Sequence, residues 1–415
     1  MSILGVLLLG CALIGLVSST VYLALAVAAT WRFRARRRQI VALPPEKGEL
    51  LPPVSVLKPL RGAEAKLEGC LESFFRQDYP DFELVFGARG AGDGALSVVE
   101  RLKAKYPRVK VRTVYSGEPR YPNAKVSALE VMIASPASHD FIVIADSDAR
   151  VDSQCVREVV RPLLDPQVGL VTCLYRGVPA AGLSSQIEAL GMSVEMTAGV
   201  LVADMLEGMR FALGPTMAIR KDVLLSVGGI ESLGSYCADD YVLGQRAHQA
   251  GKTVVLSHHV IEHVAVNSSV HASLQHHLRW MRSTRFSRPM GHVGTGLTFA
   301  MPFGILGLVT GLASGRPLLG GSLFAAAVLN RIVLCAVVGW GAVRDRHALG
   351  RSWLYPVRDL LGFLVWCWSF MGASIIWRGD RYELERDGRM RPISPDARLA
   401  VVDHAEEQIR PESIR

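Results

Sequence analysis

Two carboxylates one residue apart, Asp146 and Asp148, directly follow a short apolar run at 141–145. Such a run predicts a buried strand, and in an open α/β sheet ligands bind beyond the carboxyl ends of the strands. Paired carboxylates there can hold a hard divalent cation, which can in turn hold a pyrophosphate. Asp-Ser-Asp is also favourable turn chemistry after a strand. By itself the pair therefore predicts either a metal site or a turn.

Other charged side chains also follow predicted strands. Asp93 comes after a strand predicted at 82–86, and Asp239 and Asp240 lie between strands predicted at 214–219 and 253–256. The strip 58–62, which begins with Lys58, can bind phosphate, although a turn at the end of a strand explains its proline and glycine equally well. Six histidines between 258 and 277 lack both the HExxH spacing and a flanking cysteine. Structural histidines are therefore favoured over a zinc site.

The elements that must position these residues alternate regularly. Strands are predicted at 54–57, 82–86, 109–115, 141–145 and 168–172, and helices at 67–77, 95–106, 125–133 and 156–164. This alternation predicts an α/β fold with a mostly parallel sheet and right-handed crossovers. No GxGxxG follows the first strand, which disfavours a dinucleotide-binding fold. The alternation weakens across 184–213.

Composition indicates a membrane protein. Half of the 415 residues are apolar, the mean hydropathy is +0.25 and the formal net charge is +8. Apolar and basic segments must therefore be separated along the chain, which favours a surface toward anionic lipid over nucleic-acid binding. The seven cysteines are scattered without a CxxC pair, so they predict reduced thiols rather than a disulfide framework.

The amino-terminal segment predicts a transmembrane helix. Residues 3–30 are apolar, and five arginines follow between 32 and 38. The apolar run is too long for a signal-peptide core and carries its charge on the wrong flank, so a cleaved signal is the less favoured alternative. The arginines place the end of this helix, and the domain after it, on the cytosolic side.

Apolar segments return near the carboxyl terminus. A basic helix predicted at 274–288, with arginines every third residue, suits a membrane interface, and a solvated basic helix is the alternative. Possible spans follow at 295–313, 318–343 and 360–377, the second interrupted by Asn330 and Arg331. Three full spans would put the later arginines outside, against the positive-inside tendency. We therefore expect part of 353–377 to lie in the interface or to re-enter.

These patterns divide the chain into six parts. They are a transmembrane helix at 1–31, a basic and proline-containing linker at 32–52, a cytosolic α/β domain at 53–270, an interfacial helix at 271–292, transmembrane or interfacial helices at 293–378, and a polar tail at 379–415.

An ordered set of motifs resembles the membrane-bound family 2 glycosyltransferases, and within them the ceramide glucosyltransferase group with its hopanoid-biosynthesis relatives. The matching pieces are 54–60, 77–80, the Asp93 loop, 123–125, Asp146-Ser-Asp148, 238–241, 276–280 and 377–382. The resemblance covers about residues 50 to 390 and implies a GT-A-type fold. It also implies an integral membrane protein with its catalytic domain facing the cytosol, in the inner membrane if the source is bacterial.

The resemblance also implies roles for individual residues. Asp240 would be the general base, and Asp239 and His276 would lie on the acceptor side. The donor would be bound by Lys58, Asp93, Lys125, Asp146, Arg279 and Trp280, and Mn²⁺ or Mg²⁺ by Asp146 and Asp148. Two positions depart from the family pattern. His276 replaces the Gln or Arg that opens Q/R-x-x-R-W, and Gly90 stands where many relatives have an additional aspartate.

The expected function is inverting transfer of a sugar from a UDP-sugar to a membrane-lipid hydroxyl. Ceramide glucosylation is the first expectation, and transfer of N-acetylglucosamine to a hopanoid polyol is the alternative. A processive polysaccharide synthase fits less well because it needs more spans. A third class is a non-catalytic membrane receptor for nucleotide sugars, against which the presence of all three acidic sites argues.

Overall fold

The computed structural model describes residues 2–42, 50–63, 66–135, 138–180, 182–265 and 269–393. Two predicted features lie outside these ranges: Pro44 and Pro45 of the linker, and the polar tail from 394 onward.

One large sheet positions the acidic residues. Within the described residues its strands are β1 Val54–Pro59, β2 Phe82–Ala88, β3 Lys110–Tyr115, β4 Phe141–Ala145, β5 Ala149–Arg150, β6 Val168–Pro179, β7 Thr216–Arg220 and β8 Thr253–Ala265, and their order is β3-β2-β1-β4-β7-β6-β8-β5. Parallel pairing joins β3, β2, β1 and β4, and also β6 and β8. Pairing is antiparallel where β7 lies between β4 and β6, and where β5 joins β8. The α/β class is confirmed, and the sheet is more mixed than expected because β7 enters it in reverse.

Helices cover the sheet and extend from it. They are α1 Ile3–Ala42, α2 Leu67–Phe75, α3 Ala95–Lys105, α4 Ala124–Ala134, α5 Cys155–Val160, α6 Gly182–Leu190, α7 Thr197–Glu207, α8 Lys221–Ser226, α9 Asp239–Gln249, α10 Val270–Ser287, α11 Pro289–Thr295, α12 Met301–Ala313, α13 Pro317–Leu334, α14 Arg346–Gly350 and α15 Tyr355–Ser369. Consecutive residues of β1 and β4 are buried on both faces, as expected for central strands between two helical layers. This rigid core fixes the edge at which β1, β2 and β4 end.

Three helical stretches of the described chain are long and apolar enough to cross a membrane: Ile3–Gln39, Gly182–Glu207 and Pro317–Trp340. The first continues through the arginine block, where a linker was expected. The second joins α6 and α7 through a π-helical segment, Gly191–Met196, in the region where the alternation had weakened. Its buried face includes Ser185, Gly191 and Ser193, which had obscured its apolar helical period. In contrast, the segment expected to span at 295–313 yields only the 13-residue α12.

The polar interruption of the second carboxyl-terminal span has a structural cause. Arg331, on α13, is 2% exposed and donates to Asp359 Oδ1 of α15 at 2.9 Å. The other oxygen of Asp359 accepts from the backbone N–H groups of Ala300 and Met301 at 3.0 and 2.9 Å, which caps α12. A buried charge pair of this kind fixes how three apolar helices pack because each charge needs its partner.

Residues 374–392 fold into a second, antiparallel sheet. Its strands are β9 Ser374–Trp377, β10 Asp380–Leu384 and β11 Met390–Pro392. Arg378 and Gly379 form the two-residue turn between β9 and β10, with φ values of 55° and 96°, as primed hairpin turns require. The expected helix 360–377 therefore ends at Ser369, and the expected polar tail starts with a folded hairpin. Its strands are too short for alternation to be visible among charged residues.

The arginines of α10 bind the protein itself. Arg282 donates to the carbonyls of Met371 and Ser374, and Arg285 donates to those of Ser369 and Gly372, so both arginines contact the segment between the last residue of α15 and the first residue of β9. Cations at this position satisfy the carbonyls at a helix end and complement its dipole. Arg282 and Arg285 therefore contact backbone carbonyls of the protein, and the placement of this helix at a membrane interface stays a prediction.

Candidate active site

The Asp146 turn is held from three sides. The Asp146 N–H donates to the carbonyl of Pro215, just before β7, at 3.1 Å. Its carbonyl accepts from Ala149 N at 3.2 Å and from Lys58 Nζ at 2.7 Å. The turn and the metal site were alternatives in the sequence, but a firmly held turn leaves both carboxylates at the sheet edge. The two readings are therefore compatible.

Lys58 lies beneath this turn. It is 0% exposed, and its Nζ stands 3.7 Å from the centre of the Phe74 ring. Burial lowers the pKa of Lys58 to about 8, although Asp146 and Asp148 oppose the shift. The structure thus places Lys58 where it supports Asp146, and not on the open surface of the cleft.

Lys125 connects carboxylates from distant parts of the chain. Its Nζ is 2.8 Å from Asp146 Oδ1 and 3.7 Å from Asp239 Oδ2. Burial opposes the charge of Lys125, but Asp146 and Asp239 outweigh it and raise its pKa. A permanently charged ammonium at this point can neutralise the carboxylates or a bound phosphate.

Asn123 fixes the position of Lys125. It caps α4 by accepting from the N–H groups of Lys125 and Val126, and its amide donates to Asp239 Oδ1 at 3.1 Å. Sequence reasoning did not assign Asn123 to the site. The available signal was its residue type, which favours a helix N-cap, two residues before the lysine.

Asp240 occupies the first turn of α9, where the helix dipole faces it. Burial raises the pKa of Asp240 to about 6, Asp239 adds to the shift, and Lys125 opposes it. Gly214 approaches it closely, since a Cβ there would lie 2.9 Å from Asp240 Oδ2. A carboxylate with a raised pKa in a polar cleft suits a general base near neutral pH.

Asp148 has an oxygen that points to a missing ligand. Its Oδ2 lies 3.3 Å from His263 Nε2, whereas its Oδ1 is buried and has no hydrogen-bond partner among the described residues. A buried carboxylate oxygen without a partner is costly, and a bound cation would satisfy it. In the described part of the chain, no three His, Cys, Asp or Glu side chains are arranged to hold a metal ion together. A cation at Asp146 and Asp148 would therefore need further oxygen ligands from a substrate or water.

Asp93 lies farther along the same edge. Its Oδ1 accepts from Gly62 N at 2.8 Å and Ala95 N at 2.9 Å. It borders an open cleft of about 670 Å³ that also includes Thr113 and Tyr115. β1 separates β2, which precedes Asp93, from β4, which precedes Asp146, so these two strands lie roughly 10 Å apart across the sheet. The structure thus gathers Asp146, Asp148, Asp239 and Asp240 and leaves Asp93 in a neighbouring cleft.

The predicted acceptor side is formed by α10. His276 Nδ1 pairs with Glu188 Oε1 at 2.8 Å, and its ring lies 4.4 Å from the Trp280 ring. Burial lowers the pKa of His276, although Glu188 opposes the shift. Arg279 stacks on Trp377 at 5.3 Å, which brings the β9–β10 hairpin to the site. Sequence reasoning had missed Glu188 because its partner lies 88 residues away on another helix.

Comparisons with known proteins identify the family of this chain. Residues 11–390 match glycosyl transferase family 21. Ceramide glucosyltransferase 1 of Caenorhabditis elegans is 24% identical over 356 residues, which are 83% of this chain and 74% of the worm protein. Ceramide glucosyltransferase 3 of the same organism is 27% identical over 234 residues, 56% of this chain and 50% of that protein.

Among solved structures, a mannosyltransferase from Pyrobaculum calidifontis in complex with GDP-Man and Mn²⁺ aligns with a TM-score of 0.43 at 17% identity, covering 84% of this chain and 99% of that chain. The sequence matches confirm the predicted resemblance to the ceramide glucosyltransferases. The matching family is glycosyl transferase family 21, whereas family 2 was expected. This chain belongs to glycosyl transferase family 21.

Proposed function

We propose that this chain is a GT-A-type, inverting transferase that moves a sugar from a UDP-sugar to the hydroxyl of a membrane lipid, with glucose and ceramide as the first candidates. One observation carries the proposal: Lys125 joins Asp146 and Asp239, from opposite halves of the α/β domain, directly beside Asp240. Family membership and the ceramide glucosyltransferases among its relatives support the same class of reaction.

The donor would lie along the carboxyl edge of the sheet. β2 and β4 lie roughly 10 Å apart, and this spacing of the strands that precede Asp93 and Asp146 suits a nucleoside end at Asp93 and a diphosphate at Asp146. Asp146 and Asp148 would hold Mn²⁺ or Mg²⁺, which supplies positive charge against the diphosphate of the leaving group. Lys125 and Arg279 would add fixed cations on either side of that charge.

Asp240 would act as the base. As the lipid oxygen attacks the anomeric carbon, the carboxylate of Asp240 takes the hydroxyl proton and UDP leaves with the electrons of the broken glycosidic bond. A single displacement inverts the anomeric centre. A pKa of about 6 keeps the group ionised at pH 7 and makes it a stronger base than an exposed aspartate.

The enzyme would be an integral membrane protein with this cleft on the cytosolic side. The basic end of α1 supports that orientation through the positive-inside tendency. Its Arg36 pairs with Asp204 of α7 at 3.0 Å, and its Arg32 donates to the Met205 carbonyl at 3.2 Å. These contacts connect the basic end of the amino-terminal helix to a second apolar helix near the site.

The proposal is tested by measuring UDP release and product mass for purified protein given Mn²⁺ or Mg²⁺, a panel of UDP-sugars, and both ceramide and hopanoid polyol acceptors. Asp240→Asn should retain donor binding and lose transfer, whereas Asp222→Asn, an exposed carboxylate on α8, should behave as wild type. Product mass distinguishes glucosylceramide from an N-acetylglucosaminyl hopanoid. Donor binding without any UDP release by the wild-type protein would instead favour a receptor.

A further inference from the structure

The motif at 377–382 has no part in the proposed chemistry. It includes the turn between β9 and β10 in the carboxyl-terminal sheet, which consists of β9, β10 and β11 at 374–392. Although this sheet follows the apolar helices in the chain, it packs on the α/β domain. Its contacts include three elements that adjoin candidate site residues: the segment before α9, helix α10 and the loop after β1.

The first contact joins the carboxyl-terminal sheet to residues 235–237, which lead directly into α9. Backbone groups bond in both directions: the N–H of Met390 donates to the carbonyl of Ser235 at 2.6 Å, and the N–H of Cys237 donates to the carbonyl of Gly388 at 3.3 Å. Between these bonds, Tyr236 and Arg389 form an antiparallel bridge. The segment before the proposed base is therefore an additional short strand on this sheet.

Tyr236 and Arg389 are also joined through their side chains. Arg389 Nε donates to the Tyr236 hydroxyl at 3.2 Å, and its guanidinium lies 5.5 Å from the centre of the tyrosine ring. The guanidinium of Arg246, on α9, lies 5.7 Å from the same ring. Hydrogen bonds to a charged group and cation–π contacts both favour one fixed position of an aromatic ring. Tyr236 is thus held by cations from the carboxyl-terminal sheet and from α9.

From Tyr236 the contacts continue into the candidate active site. Its carbonyl accepts from Asn123 Nδ2 at 3.0 Å, and the same nitrogen donates to Asp239 Oδ1 at 3.1 Å. Asn123 also caps α4, the helix that carries Lys125. One amide group therefore connects Tyr236 to the carboxylate beside Asp240, so a displacement of Tyr236 would be passed to the first turn of α9.

The second contact joins the carboxyl-terminal sheet to α10. A small apolar core is shared by the sheet and the segment before α9, and its buried members are Cys237, Ile375, Leu384 and Met390. Phe286 of α10 packs against this core. Trp377, at the end of β9, lies 5.3 Å from the guanidinium of Arg279. The sheet therefore holds the helix of Arg279 and the segment before Asp240 in a fixed relation.

The third contact reaches the other side of the cleft. Arg61 Nη2 donates to the carbonyl of Arg378, in the turn between β9 and β10, at 3.4 Å. Arg61 directly precedes Gly62, whose N–H donates to Asp93. The carboxyl-terminal sheet therefore extends from the segment before α9 to the loop after β1, across the edge along which the donor would lie.

We propose that the carboxyl-terminal sheet positions the base for transfer, and that Tyr236 and Arg389 are the positioning residues through which it acts on Asp240. The inference deepens the proposed function and rests on it for the role of Asp240 as base. The physical reason is that Asp240 lies in the first turn of α9, and helix ends fray unless neighbouring groups hold them. Pairing with the sheet holds the residues that precede this turn.

Two matched substitutions test the proposal. Arg389→Met removes the bond to Tyr236, whereas Arg391→Met makes the same change two residues later. The two arginine side chains are 55% and 63% exposed, and each substitution also removes one ion pair, with Asp387 or with Glu383. Both of these acidic partners lie within 374–392, so the loss of a side-chain contact with the segment before α9 distinguishes Arg389→Met from its control.

The first readout is hydrogen exchange of the whole protein in detergent, which needs no turnover. Peptides covering 235–243 should exchange about tenfold faster in Arg389→Met than in the wild type, because one hydrogen bond to a charged group is lost. Arg391→Met should exchange like the wild type in these peptides. Equal exchange of this segment in the two variants would overturn the inference.

The second readout is kinetic. Arg389→Met should lower kcat for UDP release about tenfold and leave the dissociation constant of UDP unchanged, whereas Arg391→Met should leave both unchanged. Arg389→Lys can still donate to the Tyr236 hydroxyl and should restore most of kcat. Tyr236→Phe should add no further loss to Arg389→Met, because both changes remove the same bond. A parallel loss of kcat and of UDP binding, or no rescue by lysine, would contradict a positioning role.

The two readouts separate this inference from the proposed function. If the wild type releases no UDP from any donor but the exchange contrast appears, the proposed function fails and the anchoring of α9 stands. If the wild type transfers sugar and kcat is equal in Arg389→Met and Arg391→Met, the proposed function stands and the positioning role is refuted.

Discussion

A single methyl group added at Gly214 should displace the carboxylate of the proposed base without removing any reacting group. Gly214 precedes β7, and a Cβ there would stand 2.9 Å from Asp240 Oδ2. That separation is roughly half an ångström shorter than an ordinary carbon–oxygen contact. The backbone of Asp240 is held at the start of α9, so we expect Gly214→Ala to shift its carboxylate by about that amount.

The magnitude follows from the sensitivity of catalysis to position. A misplacement of about 1 Å commonly costs a factor of about 10² in rate, so half an ångström should cost about tenfold. The loss should appear in kcat for UDP release in the presence of lipid. The dissociation constant of the UDP-sugar, measured by titration calorimetry, should remain unchanged because the proposed role of Asp240 is to take a proton from the acceptor.

Gly69→Ala is the matched control. Gly69 lies within α2, where an added Cβ meets nothing within 4 Å, so the change should leave kcat unaltered and slightly stabilise the helix. If Gly214→Ala melts at the wild-type temperature and retains wild-type kcat, Asp240 is not the base. Parallel loss of kcat and donor binding would indicate general disruption of the cleft.

Three further results are expected. The rate of transfer should fall as the pH decreases through about 6, because Asp240 then becomes protonated. An Asp240→Glu variant should move the midpoint of this pH profile. A rate that is constant from pH 5 to 7 would contradict the prediction. Chelation of divalent metal should abolish transfer, and added Mn²⁺ or Mg²⁺ should restore it. Asp148→Asn should raise the metal concentration needed for the half-maximal rate by about tenfold or more. If that concentration is unchanged in the variant, Asp148 is not a metal ligand. Arg331→Met should lower stability by about 3–5 kcal/mol, because it leaves Asp359 buried without its partner, and thermal melting in detergent with an unchanged midpoint would refute it.

Local pattern was sufficient for much of the site. Asp146 and Asp148 follow a five-residue apolar strand, and Asp93 follows another, so the rule that ligands bind at carboxyl strand ends placed them on one edge. The amino-terminal helix was also predictable, because an uninterrupted apolar run of that length is typical of a membrane-spanning helix. The arginines after it were expected to leave the helix, but arginine is a good helix former and α1 continues through them.

Longer-range partners were beyond sequence reasoning. Glu188 pairs with His276, and Asn123 with Asp239, across 88 and 116 residues. Arg282 and Arg285 have the spacing of an interfacial helix, yet they cap α15. Whether a charged side chain faces lipid, solvent or a carbonyl depends on which element packs beside it, and a one-dimensional pattern holds no information about that neighbour.

The sequence by itself determined which chemical groups are available: carboxylates and a lysine at the ends of strands and helices, in a domain flanked by apolar helices. It could do so because local composition dictates whether a segment is buried and whether it forms a helix or a strand. Only the tertiary structure decided how those groups act on one another. It placed Lys125 between Asp146 and Asp239, and it raised the pKa of Asp240 by burying it. It also left an oxygen of Asp148 without a partner among the described residues and formed a cavity against Glu188. Each of these effects depends on distance and on exclusion of water, which exist only after the chain has packed.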